Sequence, residues 1–294
     1  MTYFTQNVID VIALGCLYSL IALGLAMVFG IMRFINFAHG ALIMLTGYAL
    51  YLTSDLPFVV MLLVALLAVA ASALLMERVA FRPIRGAGVS TQLVTSFAVA
   101  FLVENLVSVI FGARAKSVAM PAFLSEQTTV ADIRVSNLDV VTALVAIALF
   151  AGLAVFLRRT AIGTQMRAAA EDFEMARLMG VKANKVIAAA FAITGILAAV
   201  AGIILVAKAG ALVPGMGLEP IVIGFIAIIV GGLGSLKGAV VGAFVLSTLT
   251  VTLQAVLTYE IRQFRDAFVF AIVMLIFFVR PSGIIVDRRL STRV

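Results

Sequence analysis

The sequence predicts an all-α protein, a polytopic membrane helical bundle of about eight or nine transmembrane segments. Some of these are broken or re-entrant, with the N-terminus outside and the C-terminus cytoplasmic. Three observations predict it. Of 294 residues, 64% are hydrophobic, and mean hydropathy is +1.22; a soluble fold of this size has too little interior to hide so much apolar side chain. Charged residues make up 12% of the chain, about half the roughly 25% of a soluble domain. Apolar runs approaching the roughly 20 residues of a membrane crossing recur along its whole length.

The runs lie at about 8–30, 37–52, 57–76, 90–111, 139–157, 185–207, 219–231, 238–257 and 267–280. The first lacks a basic leader and is too long for a signal-peptide core, so it reads as a retained helix. Short loops rich in Lys and Arg stay in the cytoplasm. That assigns 77–89 (Arg78, Arg82, Arg85), 158–184 (Arg158, Arg159, Arg167, Arg177, Lys182, with Lys185 at its edge) and the tail (Arg288, Arg289, Arg293) to the inner side. The stretch 112–138 mixes Arg114, Lys116 and Arg134 with Glu126 and Asp132 and faces outward, as do 208–218 and 258–266. Alternation then requires inner-side breaks at 31–36, with Arg33, and at 231–237, with Lys237. Nine crossings satisfy every loop; eight with one re-entrant segment is the alternative.

The runs 37–52 and 219–231 are short and sit beside these breaks. Discontinuous helices of this kind line translocation paths, because non-helical backbone at membrane depth must be shielded from lipid. Gly24–Leu50 and Gly224–Leu249 share a pattern of apolar run, break and small-residue helix, which suggests a parallel repeat. Gly238 and Gly242 form a GxxxG, and later helices are dense in Ala and Gly, which predicts close helix packing.

Several functions are excluded. The longest polar stretch, 112–137, is below the roughly 40 residues a domain needs to fold alone. Residues 1–294 therefore read as a single transmembrane domain, with no catalytic or ATP-hydrolysing module. One His and one Cys exclude a multi-His/Cys zinc site and an intrachain disulfide. Cys16 reads as a small core residue. The run from Gly231 to Gly238 has the wrong spacing for a phosphate-binding Walker loop and no hydroxyl after Lys237. The net charge of +7 is accounted for by topogenic loops and implies no nucleic-acid partner.

Within 158–184, Met166, Ala169, Ala170, Phe173 and Ala176 recur at helical spacing, with Arg167, Glu171, Glu174 and Arg177 between them. This predicts one amphipathic helix over about 166–180. It is either a solvated or interfacial surface helix or a segment that docks on a partner, offering Phe173 above all, and Gly180 ends it in a left-handed turn. Glu104 and Asn105 sit mid-run in 90–111. A charge at the bilayer centre costs about 2.5–3.5 kcal/mol, so Glu104 is expected to hydrogen-bond a neighbouring helix or to line a path. Asn36 and His39 flank the first break, where His39 is expected to hold the break by hydrogen bonds. Gly231, Gly232 and Gly234 supply the backbone freedom of the second.

Three stretches point to a family. They are Tyr18 to Gly30 followed by Asn36-Phe37-Ala38-His39-Gly40; Glu77-Arg78-Val79-Ala80-Phe81-Arg82-Pro83-Ile84-Arg85; and Arg167 to Val181 with the later Gly231-Gly232-Leu233-Gly234-Ser235. Arg280-Pro281-Ser282-Gly283 closes the chain. The combination resembles the LivH-type permease of branched-chain amino-acid ABC importers, departing from its pattern at Ala41, where an acidic residue is usual. The resemblance implies a multi-pass subunit in the bacterial inner membrane that binds no cofactor itself. It implies two cytoplasmic ATP-binding subunits (LivG/LivF-like) that use ATP, a second permease (LivM-like) and a periplasmic substrate-binding protein. Its ATPase-coupling residues are Phe173, Glu174, Ala176 and Gly180; the two breaks and the mid-run acid themselves mark Asn36, His39, Glu104, Asn105, Gly231, Gly232 and Gly234 as the candidate translocation path. Solutes of the family are leucine, isoleucine and valine, other amino acids, urea and short amides, and some aromatic acids. A self-sufficient secondary transporter or channel, with coupling acids in its spans, and a membrane scaffold are the other two readings of the residues.

Overall fold

The computed structural model describes residues 2–130, 133–280 and 283–285. The basic tail (Arg288, Arg289, Arg293), Asp132, Pro281 and Ser282 lie outside the described residues. Every apolar run forms a helix: α1 (Thr2–Met32), α2 (Ala38–Leu52), α3 (Phe58–Met76), α4 (Val89–Phe111), α6 (Asn137–Arg159), α9 (Ala183–Ala209), α10 (Leu218–Gly231), α11 (Leu236–Val256) and α12 (Arg265–Val279). Short helices α5 (Ala122–Ser125), α7 (Ala161–Glu171) and α8 (Phe173–Leu178) lie in the connections. Six helices are long and apolar enough to cross a membrane, and the protein is a polytopic helical membrane protein.

The expectation of an all-α chain needs one correction. β1 (Lys116–Ser117) pairs antiparallel with β4 (Ala211–Leu212), and β2 (Gln127–Val130) with β3 (Ile133–Ser136). The polar stretch after α4 thus satisfies its backbone groups in small ladders rather than as open loop.

Helices α1 and α9 form the centre, wrapped by α2, α3, α10 and α11. Large apolar side chains of α3, α4, α6 and α12, such as Leu67, Phe101, Leu144 and Phe278, point outward, as lipid-facing side chains do. Small residues bring the central helices together. A Cβ on Gly15 would lie 2.7 Å from the Phe244 ring, and one on Gly195 would lie 2.9 Å from the Ala70 backbone. Ser247 Oγ donates to the Val11 carbonyl at 3.1 Å, and Thr194 Oγ1 to Gly24 O at 3.0 Å. The GxxxG of α11 seats α10. A Cβ on Gly242 would fall 2.0 Å from Ala227 O, and one on Gly231 would fall 1.8 Å from Gly238 O.

The two broken segments are not alike. In the first, the long α1 precedes the break and the short α2 follows; in the second, the short α10 precedes and the long α11 follows. After α3 the helix widens into a π-turn, Glu77–Phe81, closed by Arg82 N–H on Glu77 O at 2.7 Å. This turn buries Glu77 and lets Arg85 fold back onto it as an ion pair. Arg85 also donates to Asn184 Oδ1. Burial lowers the Arg85 guanidinium from its ordinary pKa, and Glu77 supplies the compensating charge. Arg85 is thus an internal anchor between the π-turn and α9, which its topogenic reading missed.

Candidate functional site

Two places bring the predicted residues together, one within the bundle and one at its end. The first is built by the break after α1. Arg33 adopts φ +58° and turns the chain, and α2 starts at Ala38. Asn36, 1% exposed, accepts the Ala38 N–H through Oδ1 at 3.1 Å, so it caps the new helix. From α4, Ser96 Oγ accepts the Phe37 N–H at 3.2 Å and lies 3.3 Å from Ile35 O. Ser96 was not singled out in the sequence, where Ser90, Thr91, Thr95 and Ser108 share its run.

The depth of the α2 start follows from His39. Its ring lies against Gly24, where a Cβ would be 2.4 Å from Cε1. Gly24 lies eight residues before the end of α1, or about 12 Å along the axis. The chain thus turns back into the bundle before α2 begins. The start of α10 comes to meet it: a Cβ on Gly217 would fall 2.0 Å from Gly40 O. Two short helices therefore present their N-terminal ends to each other inside the bundle. This packing requires glycine at both positions.

Beside this junction is a cleft of about 50 Å³, whose walls include Phe37, Phe97, Glu104, Gly215 and Ile221. Phe37 and Phe97 stack with ring centroids 4.0 Å apart. A Cβ on Gly215, which has φ +85°, would lie 2.8 Å from Glu104 Oε1. The Glu104 carboxylate makes no hydrogen bond among the described residues, so the expected bond to a neighbouring helix is absent. Asn105 does not join it; its Nδ2 donates to Phe101 O on its own helix at 2.7 Å and is exposed. His39 does not hold the break either. It is fully buried with its ring against α1, near Gly24 and the Ile21 carbonyl, and neither ring nitrogen makes a hydrogen bond of normal geometry among the described residues; the bonds at the break are those of Asn36 and Ser96. Among the described residues no group of acids, His and Cys could hold a metal.

The second place is the end that carries α7 and α8. The single helix expected over 166–180 is two helices. Asp172 is extended (φ −148°, ψ 105°) and accepts the Met175 N–H at 3.0 Å, ending α7 and capping α8. Thr160 caps α7 in the same way, from Gly163 N–H at 3.0 Å. Gly180, φ +88°, closes α8 as expected, with Val181 N–H bonded to Ala176 O at 3.0 Å. The apolar stripe faces the protein's own bundle: Met166, Ala169 and Ala176 are buried, and Phe173 packs half-buried on the core. What remains outward is a different set, Met175, Leu178 and Met179, at 56%, 81% and 82% exposed. Glu174 and Gly180 are exposed beside them.

Both breaks reach α7. Arg33 Nη2 donates to Ala170 O at 2.7 Å. The second break, with Gly232 at φ +112° and Gly234 at φ +91°, opens on a cavity of about 460 Å³ whose far wall includes Met166 and Arg167. Ser235 restarts the chain as α11 by accepting Gly238 N–H at 3.1 Å. Beyond α12, Ile284 and Ile285 donate to Val230 O and Gly231 O at 2.8 and 3.0 Å, closing the end of α10. Gly231, Gly232 and Gly234 thus belong to the α7 end, not to the Glu104 cleft.

A helical membrane bundle with two broken helices is shared by many transporters, so the fold alone does not name it. A family model described as the permease component of branched-chain amino acid transport systems matches residues 7–278. The chain belongs to this family. Its relatives include the high-affinity branched-chain amino acid transport permease LivH of Salmonella typhimurium, 32% identical over 96% of each chain. LivH of Escherichia coli (31%) and BraD of Pseudomonas aeruginosa (30%) match over the same shares. The xylose transport permease XylH of Escherichia coli is 39% identical over 31% of this chain and 25% of its own. No solved structure matches. The permease is a transport subunit, not an enzyme.

Proposed function

We propose that this permease is one transmembrane subunit of an ATP-driven importer that moves branched-chain amino acids or related small solutes across the bacterial inner membrane. The observation that carries this is the likeness to LivH and BraD along 96% of this chain and of theirs. In this reading residues 1–294 form one permease domain crossing nine times, with the N-terminus outside, the C-terminus inside, and 158–184 as the cytoplasmic coupling loop. LivG/LivF-like subunits bind and hydrolyse ATP, this chain holding no cofactor. A LivM-like permease and a periplasmic binding protein complete the assembly.

The solute passes the cleft beside the junction of α2 and α10, whose volume of about 50 Å³ must widen to admit a branched side chain. Glu104 offers an unpaired carboxylate to an ammonium group, and Phe37, Phe97 and Ile221 offer apolar walls to a branched side chain. Outside the membrane, Met175, Leu178 and Met179 cover a groove on an ATP-binding subunit, with Glu174 and Gly180 at the contact. Phe173 and Ala176 act from beneath by seating α8 on the bundle. Arg33 ties the docked hairpin to the first break, so movement of α7 reaches the start of α2. Coexpression of the candidate subunits tests this: the purified complex should hydrolyse ATP faster when the loaded binding protein and leucine are present. A chain that purifies alone and transports leucine into liposomes without ATP would overturn it.

A further inference from the structure

At the α7–α8 end lies a second cavity, of about 890 Å³, within the size range of small-molecule sites. Five cations line it: Arg33 from the first break, Arg85 from the loop after the π-turn, Arg177 from α8, and Lys182 and Lys185 from the start of α9. Glu174 is the acid on its wall. Retention of basic loops on one side of a membrane needs Lys and Arg somewhere in each loop. It does not require that four separate elements place basic residues along one recess, where Arg33 also donates to Ala170 O.

Charge placement in the cavity is unfavourable without an anion. Lys182 is the residue that precedes the first turn of α9, and Lys185 lies in that turn; no side chain caps the helix start. Two ammonium groups therefore sit at the positive end of a 27-residue helix, opposite to the arrangement the helix dipole favours. Arg177, Lys182 and Lys185 have no ion-pair partner among the described residues. Arg85 spends one guanidinium nitrogen on Glu77 and another on Asn184, yet its buried Nε–H has no acceptor. Gln92, 6% exposed, also lines the wall with an unpartnered Oε1, which suits a ligand hydroxyl.

We infer that this cavity binds a phosphate group, carried by an anionic phospholipid headgroup or by a free phosphate. Basic pockets between transmembrane helices at headgroup level have this chemistry. The site joins the break at Arg33, the π-turn at Arg85 and the start of α9 through one anion, so its occupancy stiffens the end of the bundle that bears α7 and α8.

The test uses the purified full chain in phosphatidylcholine nanodiscs. Phosphatidylglycerol is titrated in, retained lipid is read by native mass spectrometry, and unfolding midpoints are read with and without inorganic phosphate. Saturable retention of phosphatidylglycerol over phosphatidylcholine is expected. It should weaken about thirtyfold in a Lys182→Gln/Lys185→Gln variant, since each cation near a lipid surface contributes about 1 kcal/mol. It should persist in Lys182→Arg/Lys185→Arg, which keeps the charge and controls for folding. Phosphate that raises the midpoint and displaces the lipid identifies the free anion as the ligand; no response to phosphate identifies the headgroup. Equal retention of both lipids by wild type and the Gln variant, with no response to phosphate, overturns the inference. So does a Gln variant that binds lipid normally but loses ATP-binding subunits on coexpression, because the cations then serve a protein partner.

Discussion

Glu104 shows how much one side chain's surroundings decide. In the sequence it is an acid in an apolar run, and the economical expectation is a hydrogen bond that ties two helices. In the structure its carboxylate has no such bond and faces the turn at Gly215, beside the stacked Phe37 and Phe97. Removing its charge should therefore cost the fold little. Glu104→Gln is expected to leave abundance and the unfolding midpoint unchanged and to lower leucine uptake by about 10- to 100-fold. That is the loss of one charge-assisted contact of about 1.5–3 kcal/mol, measured in membrane vesicles with the partner subunits. Glu77 is the contrasting acid. It is 5% exposed and paired with Arg85, so Arg85→Ala leaves a buried charge uncompensated. A loss of about 3–5 kcal/mol is expected from that single change. The double variant Glu77→Ala/Arg85→Ala should recover part of it, as read from thermal unfolding in one detergent.

Among the elements, the α7–α8 hairpin separates two roles that its periodicity merges. A helical stripe of Met166, Ala169, Ala170, Phe173 and Ala176 is equally compatible with packing inward and with docking outward. Asp172 resolves this locally by breaking the helix, and the bundle takes the stripe for itself. The outward apolar group is left to Met175, Leu178 and Met179, which repeat at the same three- and four-residue spacing on a different face. Changing these three to Ser should leave the midpoint of the isolated chain unchanged and abolish co-purification with the ATP-binding subunits. Phe173→Ala should do the opposite first, lowering the midpoint through roughly 2 kcal/mol of lost packing. If the Ser variant keeps full binding and full stimulation, docking lies elsewhere, first in the 77–89 loop.

For the whole molecule, the nine-crossing arrangement fixes the side that each loop faces. In a Cys16→Ala background, Gly86→Cys should be labelled by an impermeant thiol reagent only from the inner side, and Thr128→Cys only from the outer side. The same labelling from one side at both positions would remove the proposed topology. Depth matters as well. Helices α2 and α10 are 15 and 14 residues long, about 22 and 21 Å, short of the roughly 30 Å hydrocarbon core. Each is preceded by non-helical backbone, 33–37 before α2 and 213–217 before α10, in which Phe34, Asn36 and Gly217 are buried.

What the sequence determined by itself is local. Hydropathy over some 20 residues is a property of the segment, so every apolar run became a helix where it was expected. The left-handed turns at Gly180, Gly232 and Gly234 likewise follow from backbone sterics at single positions. The family likeness was legible in short strings of residues for the same reason. What a helix faces was not legible. In water, an apolar stripe against a polar one tells core from surface. In a membrane, lipid and core are both apolar, so that contrast vanishes for helices such as α1 and α4. Only the tertiary structure showed that α1 is central and α4 peripheral, that Asn36 rather than His39 caps the first break, and that Glu104 and Asn105 part company. It alone brought Gly40 to Gly217 across most of the chain, because that contact depends on how two breaks fold back into one bundle.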